Sequence, residues 1–319
     1  MTLTRRQMLT AAAAALTLPQ TARAASALTV TATTGMIADT ARNIAGDLAE
    51  VTALMGPGVD PHGYRQTRSD IVALSRSDLI LRNGLNLEAQ LNDLLDKLAA
   101  RTPVTAVAEA LPQDQTLYNT IYEGRPDPHI WMVPALWEYA ITATRDALTD
   151  LRPDAADLLA ANTERYLSEA RATEAYAREA LGSVPPNARV LVTAHDAFAY
   201  FGRAYDFEVL GIQGISTESE AGLARISALV DTLVTRQIGA VFVESSVSDR
   251  NVRALVEGAA ARGHTVRIGG ELFSDAMGIP GTYEGTWLGM IDHNATTITR
   301  ALGGTAPTSG RLGKLSAGL

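Results

Sequence analysis

Histidine is scarce in this 319-residue chain, with five in all, and two of the five close the same tripeptide: Asp60-Pro61-His62 and Asp127-Pro128-His129. In each, the proline fixes its own φ and turns the preceding aspartate away from helix, so the imidazole emerges from a stiffened loop. A transition-metal ion asks for such an arrangement, because it needs several lone-pair donors within about 2.0–2.2 Å, held ready before it arrives. The chain has no cysteine, so a metal site here is built from imidazole, carboxylate and water, and disulfides are excluded. Two further candidate ligands follow predicted strands: His195, directly after Arg189-Val190-Leu191-Val192-Thr193, and Asp275, in Phe273-Ser274-Asp275. Spacing alone leaves these two open. A lone histidine after a strand is more often a satisfied polar group than a ligand, and Ser274-Asp275 can simply close a turn. Asp60 and Asp127 are candidates to orient the histidines or cap the loops. His264 and His293 read as structural or surface residues.

Candidates so far apart in sequence need a frame that brings them together. Pro153 to Leu181 reads as one long helix, since Leu159, Tyr166, Ala170, Ala177 and Leu181 share a face at helical spacing and the opposite face is charged. Pro153 suits a first helical position, Glu174 and Arg178 stand one turn apart, and Gly182 followed by Pro185-Pro186 is a stop signal. At about 1.5 Å per residue such a helix spans roughly 40 Å, enough to join two lobes rigidly. Two candidate ligands precede it and two follow.

On either side, short β-rich runs alternate with helical patterns. The strands before the helix are Leu28–Thr31, Val51–Met55, Leu79–Leu81 and Val104–Val107; those after it are Arg189–Thr193, Glu208–Leu210, Ala240–Val243 and Thr265–Ile268. Between them Ser69 is placed to cap a helix through Leu74, Leu87–Ala100 reads as helix, and another helix follows Ala194-His195-Asp196 and runs to about Ala204. The fold class is therefore α/β: two lobes, each with a mostly parallel four-stranded sheet flanked by helices, joined by one long rigid linker helix. The expected divisions are an N-terminal lobe over 25–151, the linker over 152–182, a C-terminal lobe over 183–303 and a loose tail over 304–319. Small ligands bind beyond the carboxyl ends of strands in such sheets, where all four candidates fall.

Residues 1–24 carry Arg5-Arg6, an apolar run from Ala11 to Leu18 and the small-x-small Ala22-Arg23-Ala24, the pattern of a cleaved export signal. The adjacent arginines resemble a twin-arginine signal, with Met8 where phenylalanine is usual, so either export route is open. The absence of cysteine at the cleavage site argues for a free periplasmic protein over a lipid-anchored one. Loss of residues 1–24 removes three arginines and no acidic residue, moving the formal charge from -8 to -11. Such a chain is a poor partner for nucleic acid.

The motifs together resemble the cluster A substrate-binding proteins of metal-importing ABC transporters. The resemblance runs through Gly58-Val59-Asp60-Pro61-His62-Gly63-Tyr64 with Ser69-Asp70, Asn83-Gly84-Leu85-Asn86-Leu87-Glu88, Asp127-Pro128-His129-Ile130-Trp131, Asn162 and Tyr166 on the long helix, Thr193-Ala194-His195-Asp196-Ala197-Phe198, and Phe273-Ser274-Asp275. It spans nearly the whole mature chain in order. It implies one metal ion at the interface of the lobes, bound by His62, His129, His195 and Asp275, with a membrane ABC permease as partner and a monomer as the working state. Zinc-binding members often carry a histidine-rich acidic loop ahead of the second histidine, which Leu111–Pro128 lacks; manganese-binding members commonly have glutamate where this chain has His195. Three imidazoles and one carboxylate favour Zn2+, with Mn2+ as the alternative cargo.

Two other classes compete. A secreted zinc hydrolase would leave water on the metal and use Glu244 or Glu271 as general base, but the chain lacks a His-Glu-x-x-His helix and Asp275 would close the site. A binding protein for haem, cobalamin or a siderophore would leave the paired Asp-Pro-His loops without a role. The expectation is a binding protein and not an enzyme.

Overall fold

The computed structural model describes residues 26–118, 124–218 and 221–316; the export signal expected over 1–24 lies outside them. The first lobe contains β1 (Leu28–Ala32), α1 (Gly35–Ala45), β2 (Ala49–Ala53), α2 (Arg68–Ser75), β3 (Leu79–Arg82), α3 (Asn92–Leu98) and β4 (Val104–Ala106). Its four strands form one parallel sheet in the order β2-β1-β3-β4. Val30, Ala32, Leu79, Ile80 and Leu81 are fully buried, as expected of a parallel sheet covered on both faces.

After α4 (Pro134–Leu151) and a single 3-10 turn at Pro153–Ala155, the linker helix α5 runs from Ala156 to Gly182. All five residues of its expected apolar face are buried, and Arg178 pairs with Glu174 at 2.6 Å. The second lobe contains β5 (Val190–Thr193), α6 (Ala199–Tyr205), β6 (Glu208–Gly211), α7 (Leu223–Thr235), β7 (Ala240–Glu244), α8 (Arg250–Ala261), β8 (Arg267–Leu272) and α9 (Trp287–Ala301). Among the described residues no helix is long and apolar enough to cross a membrane.

The four-stranded sheet expected in this lobe is instead two parallel pairs, β5-β6 and β7-β8. β5 still packs beside β7, but β7 is irregular between Val241 and Val243, and such a bulge raises local twist and disrupts regular pairing. At the carboxyl ends of these neighbours the tie is a side chain: Glu244 accepts from the His195 backbone N–H at 2.9 Å.

Four local expectations shift for identifiable reasons. Thr67, not Ser69, caps α2, in a reciprocal capping box with Asp70. The helix expected over Leu87–Ala100 shortens, because Leu85 and Asn86 are left-handed and the Glu88 carboxylate turns back to the Thr33 hydroxyl and the Asn83 and Gly84 N–H groups. α6 begins only at Ala199, two residues beyond the expected start after Asp196, and His195 lies in the loop before it as expected. The tail after α9 is tied down through Ser316 and is not loose: Thr305 N–H donates to Ser183, Arg311 N–H to Asp292 and Ser316 N–H to Glu284.

One apolar cluster runs through the first lobe, the linker and part of the second lobe. At its centre Trp131, Trp137, Trp287 and Tyr166 are in ring contact. The Trp287 indole donates to the Trp131 carbonyl at 3.0 Å, while the buried Asp39 carboxylate accepts from the Trp287 N–H and the Tyr166 hydroxyl. Wide separation of the lobes would expose these aromatic surfaces, each of which buries on the order of 150–250 Å².

Candidate metal centre

The two Asp-Pro-His loops fold by the same local rule. Proline offers no N–H, so the aspartate side chain accepts instead from the histidine two residues on: Asp60 Oδ1 from His62 N–H at 2.8 Å and Asp127 Oδ1 from His129 N–H at 2.9 Å. This turn fixes each histidine backbone. In the second case the same Asp127 oxygen also meets His129 Nδ1 at 2.7 Å. A carboxylate on Nδ1 holds the proton there and leaves the Nε2 lone pair free.

His195 gains a carboxylate on Nδ1 by a different route. It follows β5, its carbonyl accepts from the Thr193 hydroxyl at 2.8 Å, and its Nδ1 meets Glu244 Oε2 at 2.5 Å. Glu244 is the residue that sequence reasoning misplaced, considering it only as a hydrolase base. Its available signal was position, at the carboxyl end of a strand as His195 is.

Asp275 lies in the loop after β8. The Trp131 indole donates to the Ser274 carbonyl at 2.8 Å, and the Asn294 amide bonds both ways with the Phe273 backbone, accepting at 2.9 Å and donating at 2.7 Å. The backbone is thus clamped, while neither buried carboxylate oxygen of Asp275 has a hydrogen-bond partner; His195 Nε2 has none either. Buried polar atoms without partners are costly and uncommon. Here they face one another.

The structure brings all four predicted residues together, with one ligand atom from each lying within 4.8 Å of the others. His62 Nε2 is 3.3 Å from His129 Nε2 and 3.6 Å from Asp275 Oδ2. Asp275 also lies 3.5 Å from His129 Nε2 and 3.2 Å from His195 Nε2. Four donors placed tetrahedrally about 2.0–2.1 Å from a common ion would be roughly 3.3–3.4 Å apart. These four spacings bracket that edge, within a group that spans at most 4.8 Å.

Electrostatics distinguish the members. Burial lowers the His62 pKa to about 3 against the pull of Asp275. Burial also opposes charge on His195, but Glu244 and Asp275 outweigh it and raise this imidazole well above its ordinary range. For Asp275, burial disfavours the anion, yet the imidazoles, His195 foremost, hold its pKa well below the usual carboxylate value. The two remaining described histidines lie elsewhere: His264 Nε2 meets the Ile238 carbonyl and His293 Nε2 the Glu271 carbonyl.

The geometry weighs against both competing classes. Glu244 is committed to His195, and Asp275 stands in the position a hydrolytic water would need. The cavities touching His62 and Asp275 measure about 40 and 190 Å³, below the roughly 300–1,000 Å³ of pockets for organic ligands.

Comparison with known proteins agrees in fold and extent. The family model described as ZnuA, "Zinc-uptake complex component A periplasmic", matches residues 30–301. Manganese-binding lipoprotein MntA of Bacillus subtilis is 48% identical over 276 residues, covering 86% of this chain and 90% of the relative. Zinc-binding protein TroA of Treponema pallidum is 46% identical over 273 residues, covering 86% and 88%. The solved structure of periplasmic zinc-binding TroA from that organism superposes with a TM-score of 0.85 at 45% identity, covering 86% of this chain and 99% of that one.

Proposed function

The chain belongs to the periplasmic zinc-uptake component A family, and from that premise we propose that it captures one divalent transition-metal ion, Zn2+ in preference to Mn2+, and delivers it to an ABC permease in the membrane. The ligands are His62, His129, His195 and Asp275. The observation that carries this reading is the convergence of three imidazoles, each with Nε2 3.2–3.6 Å from it, on a buried carboxylate that has no hydrogen-bond partner. Its relatives are named for binding metal, not for transforming a substrate.

Relatives named for manganese and for zinc are almost equally similar, so identity does not choose the cargo. The donor set does. Manganese favours oxygen donors, whereas three imidazoles suit zinc, and the Irving–Williams order places zinc above manganese at such a site. The ion enters as substrate: neutral imidazoles offer Nε2, and Asp275 supplies the negative charge. Each lobe contributes two ligands, so binding draws the lobes together. The shared aromatic core favours a small tilt over wide closure.

The protein is exported, and the proposed finer picture is a signal over 1–24 that is cleaved, leaving a free periplasmic monomer. Its units are the lobes 25–151 and 183–303 joined through 152–182. The decisive experiment strips the chain from residue 25 with chelator, equilibrates it with equimolar Zn2+ and Mn2+, and counts bound metal after desalting. One zinc per chain is expected. One manganese would overturn the choice of metal, and no retained metal would overturn the binding reading.

A further inference from the structure

The two Asp-Pro-His loops belong to the first lobe, yet each is gripped by a hydroxyl from the second. The Tyr200 hydroxyl donates to the Asp127 carbonyl at 3.1 Å. The Thr217 hydroxyl donates to Asp60 Oδ2, while Asp60 Oδ1 accepts from the His62 N–H. One carboxylate therefore links a ligand on one lobe to a loop on the other. We propose that Thr217 is a positioning residue: acting through Asp60, it couples lobe closure to the orientation of His62 and sets how fast the bound metal leaves. The inference rests on the metal-binding reading above and deepens it.

Three observations place this contact in the seam that an ion must cross. First, the loop leading to His62 presses on the second lobe elsewhere too: Gly58 has φ +70, and a Cβ there would stand 3.4 Å from the Ser245 carbonyl. Next to Thr217, Glu218 accepts from the Gln90 side chain at 2.7 Å, a second bond between the lobes. Second, the contact is flanked by cavities. One of about 40 Å³ is lined by His62, Asn86, Arg125, Ser216 and Glu218, and one of about 250 Å³ by Asp60, Thr217, Ser246, Arg250 and Asn251. Water can therefore replace a broken bond at low cost, so this link can open and close while the aromatic core stays packed.

Third, the two grips differ in kind. Tyr200 is fully buried and also accepts from the Leu117 N–H, so it is part of the packed interior. Thr217 is half-buried and bonds to a carboxylate, the stronger class of hydrogen bond. A bond present only when the lobes are together lies on the path of release, so its loss appears mainly in the dissociation rate.

The test loads wild-type, Thr217→Val and Thr217→Ser proteins with one equivalent of Zn2+ and follows its transfer to a chromogenic chelator by stopped flow. Melting of the stripped proteins is measured in parallel. Thr217→Val keeps the shape and removes the hydroxyl; it is expected to release zinc about tenfold faster. Thr217→Ser should stay within about twofold of wild type, with stripped melting temperatures unchanged in both. Release from Thr217→Val at the wild-type rate overturns the inference, as does faster release accompanied by lowered melting of the stripped protein in both variants. If wild type itself retains no zinc, the metal-binding reading fails and takes this inference with it; wild type retaining one zinc beside an unaffected Thr217→Val sinks the inference alone.

Discussion

His129 and His195 face each other across the centre, both fully buried and both with a carboxylate on Nδ1 and on the backbone N–H. The first lobe obtains its carboxylate from Asp127, two residues upstream, and one oxygen serves both contacts. The second lobe obtains it from Glu244 at the end of a neighbouring strand, and each oxygen serves one contact. The local solution depends on a turn, which a few residues encode. The distant one depends on β5 lying beside β7, which only the folded lobe provides.

The largest effects should come from removing a ligand. Asp275→Ala or His195→Ala is expected to weaken zinc binding by orders of magnitude in competition with a chelator of known affinity. The fold should persist by circular dichroism, because both residues lie in loops. Retention of wild-type affinity in either variant would remove that residue from the site.

The carboxylates come next, and there the comparison becomes quantitative. In Asp127→Asn one amide oxygen can still accept from both the His129 N–H and Nδ1–H, as Oδ1 does now. Glu244→Gln cannot keep both contacts: one oxygen is replaced by an NH2 group that faces a donor. Loss of a partner that orients a metal-bound histidine costs about 10–100-fold in affinity. Titration should accordingly place Asp127→Asn near the lower end and Glu244→Gln near the upper. The reverse order would mean that the two carboxylates do not act as their geometry indicates.

The dependence on pH tests His195 directly. His195 is raised chiefly by Glu244 and then Asp275, against the opposing effect of burial, so in the metal-free protein a proton must leave it before Nε2 can bind. Zinc affinity should therefore rise with pH and level off only above this raised pKa. His62, held to about 3 by burial, is already neutral and adds no slope from pH 5 upward. Glu244→Gln removes the largest raising influence on His195, so the fall in affinity on acidification should begin at a lower pH than in wild type, although maximal affinity is weaker. Calorimetry from pH 5 to 8 in buffers of different ionisation enthalpy reads both the affinity and the proton released. Coincident normalised profiles would disconnect Glu244 from the protonation of His195.

The contrast also explains how far the sequence could be read. Both Asp-Pro-His loops, the buried face of α5 and the β/α alternation are local patterns, and all are legible. Glu244 is 49 residues from its histidine, and nothing in Val-Glu-Ser-Ser specifies that partner. The strand expected over Thr265–Ile268 stops short of the observed end at Leu272 because Gly269-Gly270, poor strand formers, lie inside Arg267–Leu272. The tail looked loose because backbone N–H groups tie it to Ser183, Glu284 and Asp292, and such bonds leave no trace in composition.

Trp131 offers the finest test, because it is where the first lobe supports a ligand of the second. Its indole donates to the Ser274 carbonyl, adjacent to Asp275, and its own carbonyl accepts from Trp287. Trp131→Phe keeps an aromatic ring in the core but leaves the buried Ser274 carbonyl short of this donor, a loss of about 1–3 kcal/mol together with the smaller ring's lost packing. If the bond only supports the core, the variant should melt earlier and bind zinc with unchanged affinity. If it also holds Asp275 at the imidazoles, affinity should fall by a few-fold beyond the change in stability. The backbone clamp and the unpartnered carboxylate favour the second outcome: with no hydrogen bond of its own, Asp275 depends on its backbone for its position.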